Sequence, residues 1–308
     1  MFKIKGIFWN CNGFADSKKY RFLSDLTREK DLDFIALSET GRATFPQSTL
    51  NNICAGRDFL WHCKAPRGRS GGMILGINLL TFDIGQIDEG DFFTKFKLRQ
   101  KEDDFKFFLL SIYGPAQLEH KSLFLSELVR VCSNETLPII MGGDFNIIRS
   151  PSEKNNANYS DRWPFLFNAV IDSLNLRELE LTGRKFTWAN HLHNQTFEKL
   201  DRILVCTDFE SKYPLTTVHA LTREISDHTP LLCNTNSSSQ TYQHQFKFEL
   251  GWLLRDGFCD MVRDVWNSVV DTGTPIERWQ NKIRRLRQYL RGWAKNISGH
   301  YKKEKKNS

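Results

Sequence analysis

Gly143-Asp144-Phe145-Asn146 and Ser226-Asp227-His228 are the segments of this 308-residue chain whose residue types and spacing could do chemistry. The first follows the apolar run Leu137-Pro138-Ile139-Ile140-Met141, which predicts a buried strand closed by a tight turn at Gly142-Gly143. An acid and an amide two residues apart at that strand end are expected to point the same way, because side chains alternate along a strand. The second segment sets an acid beside an imidazole, just ahead of the apolar run Pro230-Leu231-Leu232-Cys233. Carboxylate, amide and histidine gathered at strand ends suit metal-assisted attack of water on a phosphodiester. Asp144 would orient and deprotonate the water, and Asn146 would hold water or phosphate in line. A charged His228 would neutralise charge developing on the phosphoryl oxygens.

Four further residues could complete such a site, each beside an ordinary alternative. Asn12 ends a first strand in Trp9-Asn10-Cys11-Asn12-Gly13, where Asn-Gly also reads as a plain turn. Glu39 follows the short apolar run Phe34–Leu37 and is either a hard-metal ligand or a solvated loop acid; magnesium favours one or two carboxylates plus waters and substrate oxygens. Tyr113 closes Phe105–Tyr113 before Gly114-Pro115, placed either to donate to a phosphate oxygen or simply to pack. Asp201 interrupts the strand-like Lys199–Val205, where an acid is disfavoured and costly to bury unpaired. It is either part of a surface alternation with Arg202 or the acceptor that orients an imidazole.

Residues 1–235 alternate strand-like and helix-like stretches. Ile4–Asn10, Phe34–Leu37, Gly71–Ile77, Phe105–Tyr113, the Ile139 run, Leu200–Val205 and Thr229–Cys233 are expected strands. Lys18–Lys30, Lys121–Val131 and Arg162–Leu174 are expected helices, the last with Trp163, Phe167, Val170 and Leu174 on one face. Many short strands with intervening helices imply two packed sheets covered by helices. Residues 236–245 have a linker's composition, and residues 246–308 form a basic helical extension. In that extension Trp279, Ile283, Leu286, Leu290 and Trp293 make a narrow apolar stripe, with Lys282, Arg284, Arg285, Arg287 and Arg291 on the remaining face.

The chain has 43 basic and 36 acidic residues; residues 245–308 hold 14 and 7 of these, which leaves 29 of each in residues 1–244. All the excess positive charge is therefore in the extension, and nucleic-acid binding by the first part would depend on a local basic rim. No apolar run approaches the roughly 20 residues of a membrane helix, and the N-terminus has no apolar leader, so neither a membrane span nor secretion is expected. Cys11, Cys54, Cys63, Cys132, Cys206, Cys233 and Cys259 are odd in number and never spaced as a C-x-x-C pair. They read as reduced thiols in a nuclear or cytoplasmic protein. The basic clusters Lys282–Arg291 and Lys302–Lys306 favour the nucleus.

In order, Asn12, Glu39, Tyr113, Asp144, Asn146, Asp201, Asp227 and His228 resemble the motif set of the endonuclease/exonuclease/phosphatase superfamily, the fold of DNase I and the apurinic/apyrimidinic endonucleases. The resemblance covers residues 1 to about 235. It implies a four-layer α/β sandwich, with two mostly antiparallel sheets flanked by helices and the site at the ends of the inner strands. It also implies Mg²⁺ (Mn²⁺ substituting) held by Glu39 with Asn12 and Asp227, and water activation by Asp144 with Asn146. Phosphate contacts would come from Tyr113 and His228, with Asp201 supporting His228.

A finer resemblance is to the endonuclease domain of plant L1-like LINE (non-LTR) retrotransposons. It is carried by Phe186-Thr187-Trp188-Ala189-Asn190, by Lys199-Leu200-Asp201-Arg202, and by Phe246-Lys247-Phe248-Glu249, Trp252, Trp266-Asn267 and Leu286–Trp293. This implies nicking of one DNA strand to free a 3′-hydroxyl that primes reverse transcription, with Thr187 and Asn190 beside the phosphate and the DNA groove. Residue 308 falls within the segment such elements place before a reverse transcriptase, so that enzyme or the element RNA is expected as a partner in trans. Two other readings stay open. One is the same fold acting on an RNA tail or an inositol phosphate. The other is an inactive, nucleic-acid-binding remnant of a truncated element.

Overall fold

Period-two alternation in the first strand, Lys5–Asn10 (β1), sorts the molecule into layers. Ile7 and Trp9 face one way, against Leu23 and Leu26 of helix α1 (Ser17–Lys30) and Leu50 and Ile53 of α2 (Gln47–Ile53). Phe8 faces the other way, into a core shared with a second sheet. In the computed structural model the described residues are 3–67, 70–133, 135–190, 192–223, 225–235, 252–253, 255–267 and positions 275, 278, 279, 282, 283, 285, 286, 289, 290 and 293.

The remaining strands of the first part are Phe34–Ser38 (β2), Phe59–Arg67 (β3), Ser70–Asn78 (β4), Phe82–Glu89 (β5), Phe93–Gln100 (β6) and Lys106–Tyr113 (β7). After these come Ile139–Asp144 (β8), Leu176–Glu178 (β9), Leu181–Thr182 (β10), Trp188–Ala189 (β11), Phe197–Glu198 (β12), Asp201–Cys206 (β13), Thr217–Ala220 (β14) and Leu231–Asn234 (β15). One sheet has the order β10-β14-β15-β1-β2-β4-β3 and the other β5-β6-β7-β8-β13-β9. Within them only β10/β14, β1/β2 and β7/β8 pair in parallel. The crossovers for the last two are α1 and α3 (Lys121–Cys132), the connection a parallel pair requires.

Between the sheets lie Phe8, Phe34, Leu75, Phe96, Phe107, Leu109, Ile140 and Ile203. Outside the second sheet, Phe124, Leu125 and Leu128 of α3 and Phe167 and Ile171 of α4 (Arg162–Ser173) cover Phe108, Leu110, Met141 and Leu204. The result is the expected four-layer α/β sandwich: helices, sheet, sheet, helices.

Gly142-Gly143 is not the expected turn. Both glycines lie inside β8, which runs on to Asp144. A Cβ at Gly142 would sit 2.8 Å from the Phe8 ring of the facing sheet. At Gly143, φ is +134° and a Cβ would be 2.1 Å from the Ile112 carbonyl oxygen. The pair lets the strand carrying Asp144 approach its neighbours closely. Gly143→Ala should therefore destabilise the protein by about 3 kcal/mol, combining backbone strain with a clash that backbone cannot relieve. Urea unfolding reads this directly; a loss below ~1 kcal/mol would contradict it.

The chain divides into two compact units, Met1–Ser238 and Ser239–Ser308. The expected linker lies outside the described residues. In the second unit, α5 having been taken by Thr207–Lys212 of the first, helix α6 (Phe258–Asn267) packs Phe258 with Trp252, Leu286, Leu290 and Trp293. Part of the expected apolar stripe is thus used locally, whereas Trp279 is 57% exposed. No described helix is long and apolar enough to cross a membrane.

Candidate active site

Asp144 and Asp201 are direct cross-strand partners at the end of β8 and the start of β13, and both are buried. Two acids facing each other between packed sheets need a cation. His228, just ahead of β15 in the other sheet, supplies it: Nδ1 lies 2.8 Å from Asp201 Oδ2, and Nε2 lies 3.6 Å from Asp144 Oδ2. Antiparallel pairing of β15 with β1 brings His228 to the end of β1 where Asn10 sits. The Asp-in-a-strand signal thus resolves into an imidazole support rather than a surface alternation.

Asn146 reaches Asp144 by a route other than strand alternation. Its φ of +51° turns the chain back, so its backbone N–H donates to Asp144 Oδ1 (2.9 Å) and its Nδ2 donates to Oδ2 (3.1 Å). The same amide donates to the Gly114 carbonyl (2.9 Å), and Lys121 Nζ, at the start of α3, donates to the Asn146 carbonyl (2.9 Å).

A residue absent from the expected set completes the centre. Asn10, fully buried, donates from Nδ2 to Asp144 Oδ2 (2.9 Å) and lies 3.3 Å from His228 Nε2. It sits two residues before Asn12, inside the strand, and only a polar residue in an otherwise apolar buried run marked it. Asn12 has φ +45°, and its Nδ2 donates to Asp227 Oδ1 (2.9 Å). Trp188 Nε1 donates to Asp227 Oδ2 (2.9 Å). The loop carrying Asn12 is clamped by Lys19 Nζ, which donates to the carbonyls of Cys11, Asn12 and Gly13. Lys19 is one of the charged residues of the helix expected over Lys18–Lys30, and in the fold it is buried.

Glu39 follows β2 with φ +53°, half-buried, and accepts from the Tyr113 hydroxyl at the end of β7. Every expected strand-end residue therefore lies on one edge of the two sheets. Thr187 departs from its expected place beside the substrate. It is fully buried, and its hydroxyl accepts the N–H groups of Leu200 (3.0 Å) and Asp201 (2.9 Å), which makes it a clasp for the start of β13. Asn190, half-buried, closes the hairpin between β11 and β12 by accepting from Thr196 N–H (2.9 Å).

Arg202 projects from β13 to the side opposite Asp201, as alternation demands. Fully buried, it donates to the carbonyls of Ile147 (2.9 Å) and Lys199 (2.6 Å) and pairs with Glu153 and Glu178. It thereby ties the Asn146 loop to the strand that carries Asp201.

The charges in this cluster oppose one another. Burial disfavours the imidazolium of His228, but the carboxylates of Asp201 and Asp144 outweigh it and raise its pKa. Burial raises the Asp144 pKa to about 7 overall; the charge on His228 opposes it, the Asp201 carboxylate adds to it, and hydrogen bonds from Asn10 and Asn146 pull it back. We assign the shared proton to His228. Two acids flank it, whereas Asp144 accepts from three N–H donors that favour its ionised form. Burial raises Asp227 too, but His228, Trp188 and Asn12 prevail and hold it below the ordinary carboxylate value. Burial and then the charge of Glu39 push Tyr113 far up, so its hydroxyl stays a donor.

Asp144, Asp201 and His228 bring ligand atoms within 4.8 Å of one another, enough to hold a metal ion. Asp201 Oδ1, buried and without a hydrogen-bond partner, is an open donor there. A hard divalent ion that keeps several waters fits better at the rim. There Glu39 is half-buried, and no described residue hydrogen-bonds to its Oε2.

The endonuclease/exonuclease/phosphatase family profile matches residues 7–228, from β1 through His228. The chain belongs to that family. Family members are hydrolytic nucleases and phosphatases, and the fold agrees with solved structures across it. The AP endonuclease LMAP of Leishmania major superposes with a TM-score of 0.60 at 15% identity, covering 75% of this chain and 87% of that one. The endonuclease domain of TRAS1, a telomere-specific non-LTR retrotransposon, gives 0.57 at 14%, covering 75% and 97%. The 3′ phosphatase NExo from Neisseria, bound to product DNA hairpin, gives 0.58 at 17%, covering 75% and 98%. None of the curated proteins compared matches the sequence.

Proposed function

We propose that this family member is a divalent-metal-dependent DNA endonuclease of retrotransposon type, nicking one strand to leave a 3′-hydroxyl. The observation that carries the reading is the continuous row Asn146–Asp144–His228–Asp201 at the sheet edges, with Asn10 bridging its centre. Asp144 accepts the proton of the attacking water, held in line by the Asn146 amide. The His228 imidazolium, oriented by Asp201, faces charge growing on the phosphoryl oxygens. The P–O3′ bond breaks and the 5′-phosphate stays with the downstream strand. Tyr113, whose one hydroxyl proton goes to Glu39 in the free protein, would turn it to a phosphate oxygen once Glu39 is engaged by the metal, and Asp227 holds Asn12 and Trp188 at the rim. Glu39, with Asn12 and Asp227 around it, would hold Mg²⁺, which supplies Lewis-acid neutralisation of phosphate charge. The retrotransposon assignment rests on the Phe186–Asn190 and Lys199–Arg202 motifs and the extension; the TRAS1 domain shares the fold.

The full chain with Mg²⁺ should convert supercoiled plasmid to open circles that DNA polymerase extends without further treatment, and EDTA should stop conversion. Intact supercoils at generous Mg²⁺ and Mn²⁺, from protein with a cooperative melting transition, would set the reading aside. Phosphate release from small phosphoesters in preference to nicking would point to the other branch of the family.

A further inference from the structure

Apart from Lys19 and Lys121, which donate to loop carbonyls, the cations around the site fall into two groups. Arg149, Lys154, Lys199 and Arg202 are each paired with Glu153, Glu178 or Glu198. Arg184, Lys185 and Arg223 form no ion pair among the described residues. These three gather on one aromatic pair: Phe186 and Phe197 have ring centroids 6.0 Å apart. Lys185 Nζ lies 5.1 Å from the centre of the Phe186 ring, and the Arg223 guanidinium lies 5.9 Å from that of Phe197. Partial burial and then the charge of Arg184 lower the Arg223 pKa. Asp227 is the acid that acts on Arg223, and it is already engaged by Asn12, Trp188 and His228, so the like charges crowd on this half-buried base without a counter-ion of their own. The natural counter-charge is an external polyanion.

The place of the patch narrows that polyanion. Arg184 and Phe186 lie four and two residues before Trp188, whose indole holds Asp227. Arg223 lies four residues before Asp227 on the segment leading to His228. The basic surface thus grows out of the same two segments that form one side of the site. Phosphate contacts from Arg and Lys position a nucleic-acid backbone without reading its sequence.

We propose that Arg184, Lys185 and Arg223 form a docking surface for the backbone of duplex DNA, holding phosphates that neighbour the one to be cut. The inference rests on the nuclease reading for its occupant. Its test is binding rather than cleavage, so the two can fail separately. Anisotropy of a fluorescein-labelled DNA duplex with the full chain in EDTA gives affinity against salt. R184A/R223A should weaken binding about tenfold and reduce the slope of log K against log salt by about 2. R184K/R223K should keep the slope. Hydrolysis of bis(4-nitrophenyl) phosphate should be unchanged in both variants, and the melting temperature should not fall in either. An unaltered salt slope in R184A/R223A overturns the proposal, as does weaker binding accompanied by an equal loss of ester hydrolysis. Tighter binding of duplex RNA, lost in the same variant, overturns the choice of DNA. If the wild type nicks nothing yet loses its salt slope on R184A/R223A, the docking surface stands and the nuclease reading falls.

Discussion

His228→Ala is expected to lower plasmid nicking by about 10³-fold, the scale seen when a preorganised stabiliser of transition-state charge is removed. The imidazolium is the only cation within ion-pair distance of both Asp144 (3.6 Å) and Asp201 (2.8 Å) among the described residues. Its removal deletes the positive charge facing the phosphoryl oxygens. It also leaves two buried acids opposite each other across β8 and β13. At least one of them would then take up a proton, and a protonated Asp144 cannot accept one from water. The single substitution therefore disables two functions. It should also cost stability, by roughly 3 kcal/mol, because an uncompensated buried charge is left behind. Single-turnover nicking at a temperature where circular dichroism shows the variant folded separates the two effects. Nicking within tenfold of wild type would mean His228 only braces the sheets.

Much of this centre could be read in the sequence because it lies at strand ends. Asp144 and His228 border apolar runs and Asp201 interrupts one, and a polar group in or beside a buried run is costly enough to signal a purpose. Asn10 carries the same mark at the end of β1, but the neighbouring Asn12-Gly13 has the turn chemistry of a strand end and masks it. Thr187 lies outside what sequence can place, because a hydroxyl beside an aromatic motif looks like a substrate group. Only the fold reveals that two backbone N–H groups already occupy it. Lys19 gave no signal at all, since three carbonyl oxygens converge on it from a loop six to eight residues away.

At fold level, β1, β2, β4, β7, β8, β13 and β15 are legible as apolar runs, whereas the edge strands β3, β5, β9 and β10 are not, nor are the internal strands β6 and β14. In β5, half-buried and exposed residues follow no strict alternation, and its pairing with β6 shifts register between Ile84 and Ile87. Period-two reasoning fails at such a bulge. Gly142-Gly143 shows the converse error: local turn chemistry was overridden by a facing phenylalanine that only the packed sheets bring near.

Asp201→Asn is expected to move the alkaline limit of the reaction rather than abolish it. Asp201 is the nearest acid to His228 and the strongest influence holding the proton on it, ahead of Asp144 and Asp227. In the wild type the His228 pKa is raised from 6.5 to about 10. A folded-state value above the unfolded one means that proton binding favours the native state. That contribution is complete below about pH 6.5 and is lost as pH rises towards about 10. An asparagine carbonyl can still accept from Nδ1–H, so ring orientation survives while the charge goes. An opposite charge at this range shifts a pKa by about 1–3 units, so the alkaline limb of kcat should fall by that much. Near pH 6 the variant should nick within about tenfold of wild type, and the gap should widen roughly tenfold per pH unit once the variant's histidine has lost its proton. The acid limb, set by Asp144, should move far less. An alkaline limb that stays in place, with a uniform loss at every pH, would show that Asp201 acts by geometry alone and that His228 does not work as the cation.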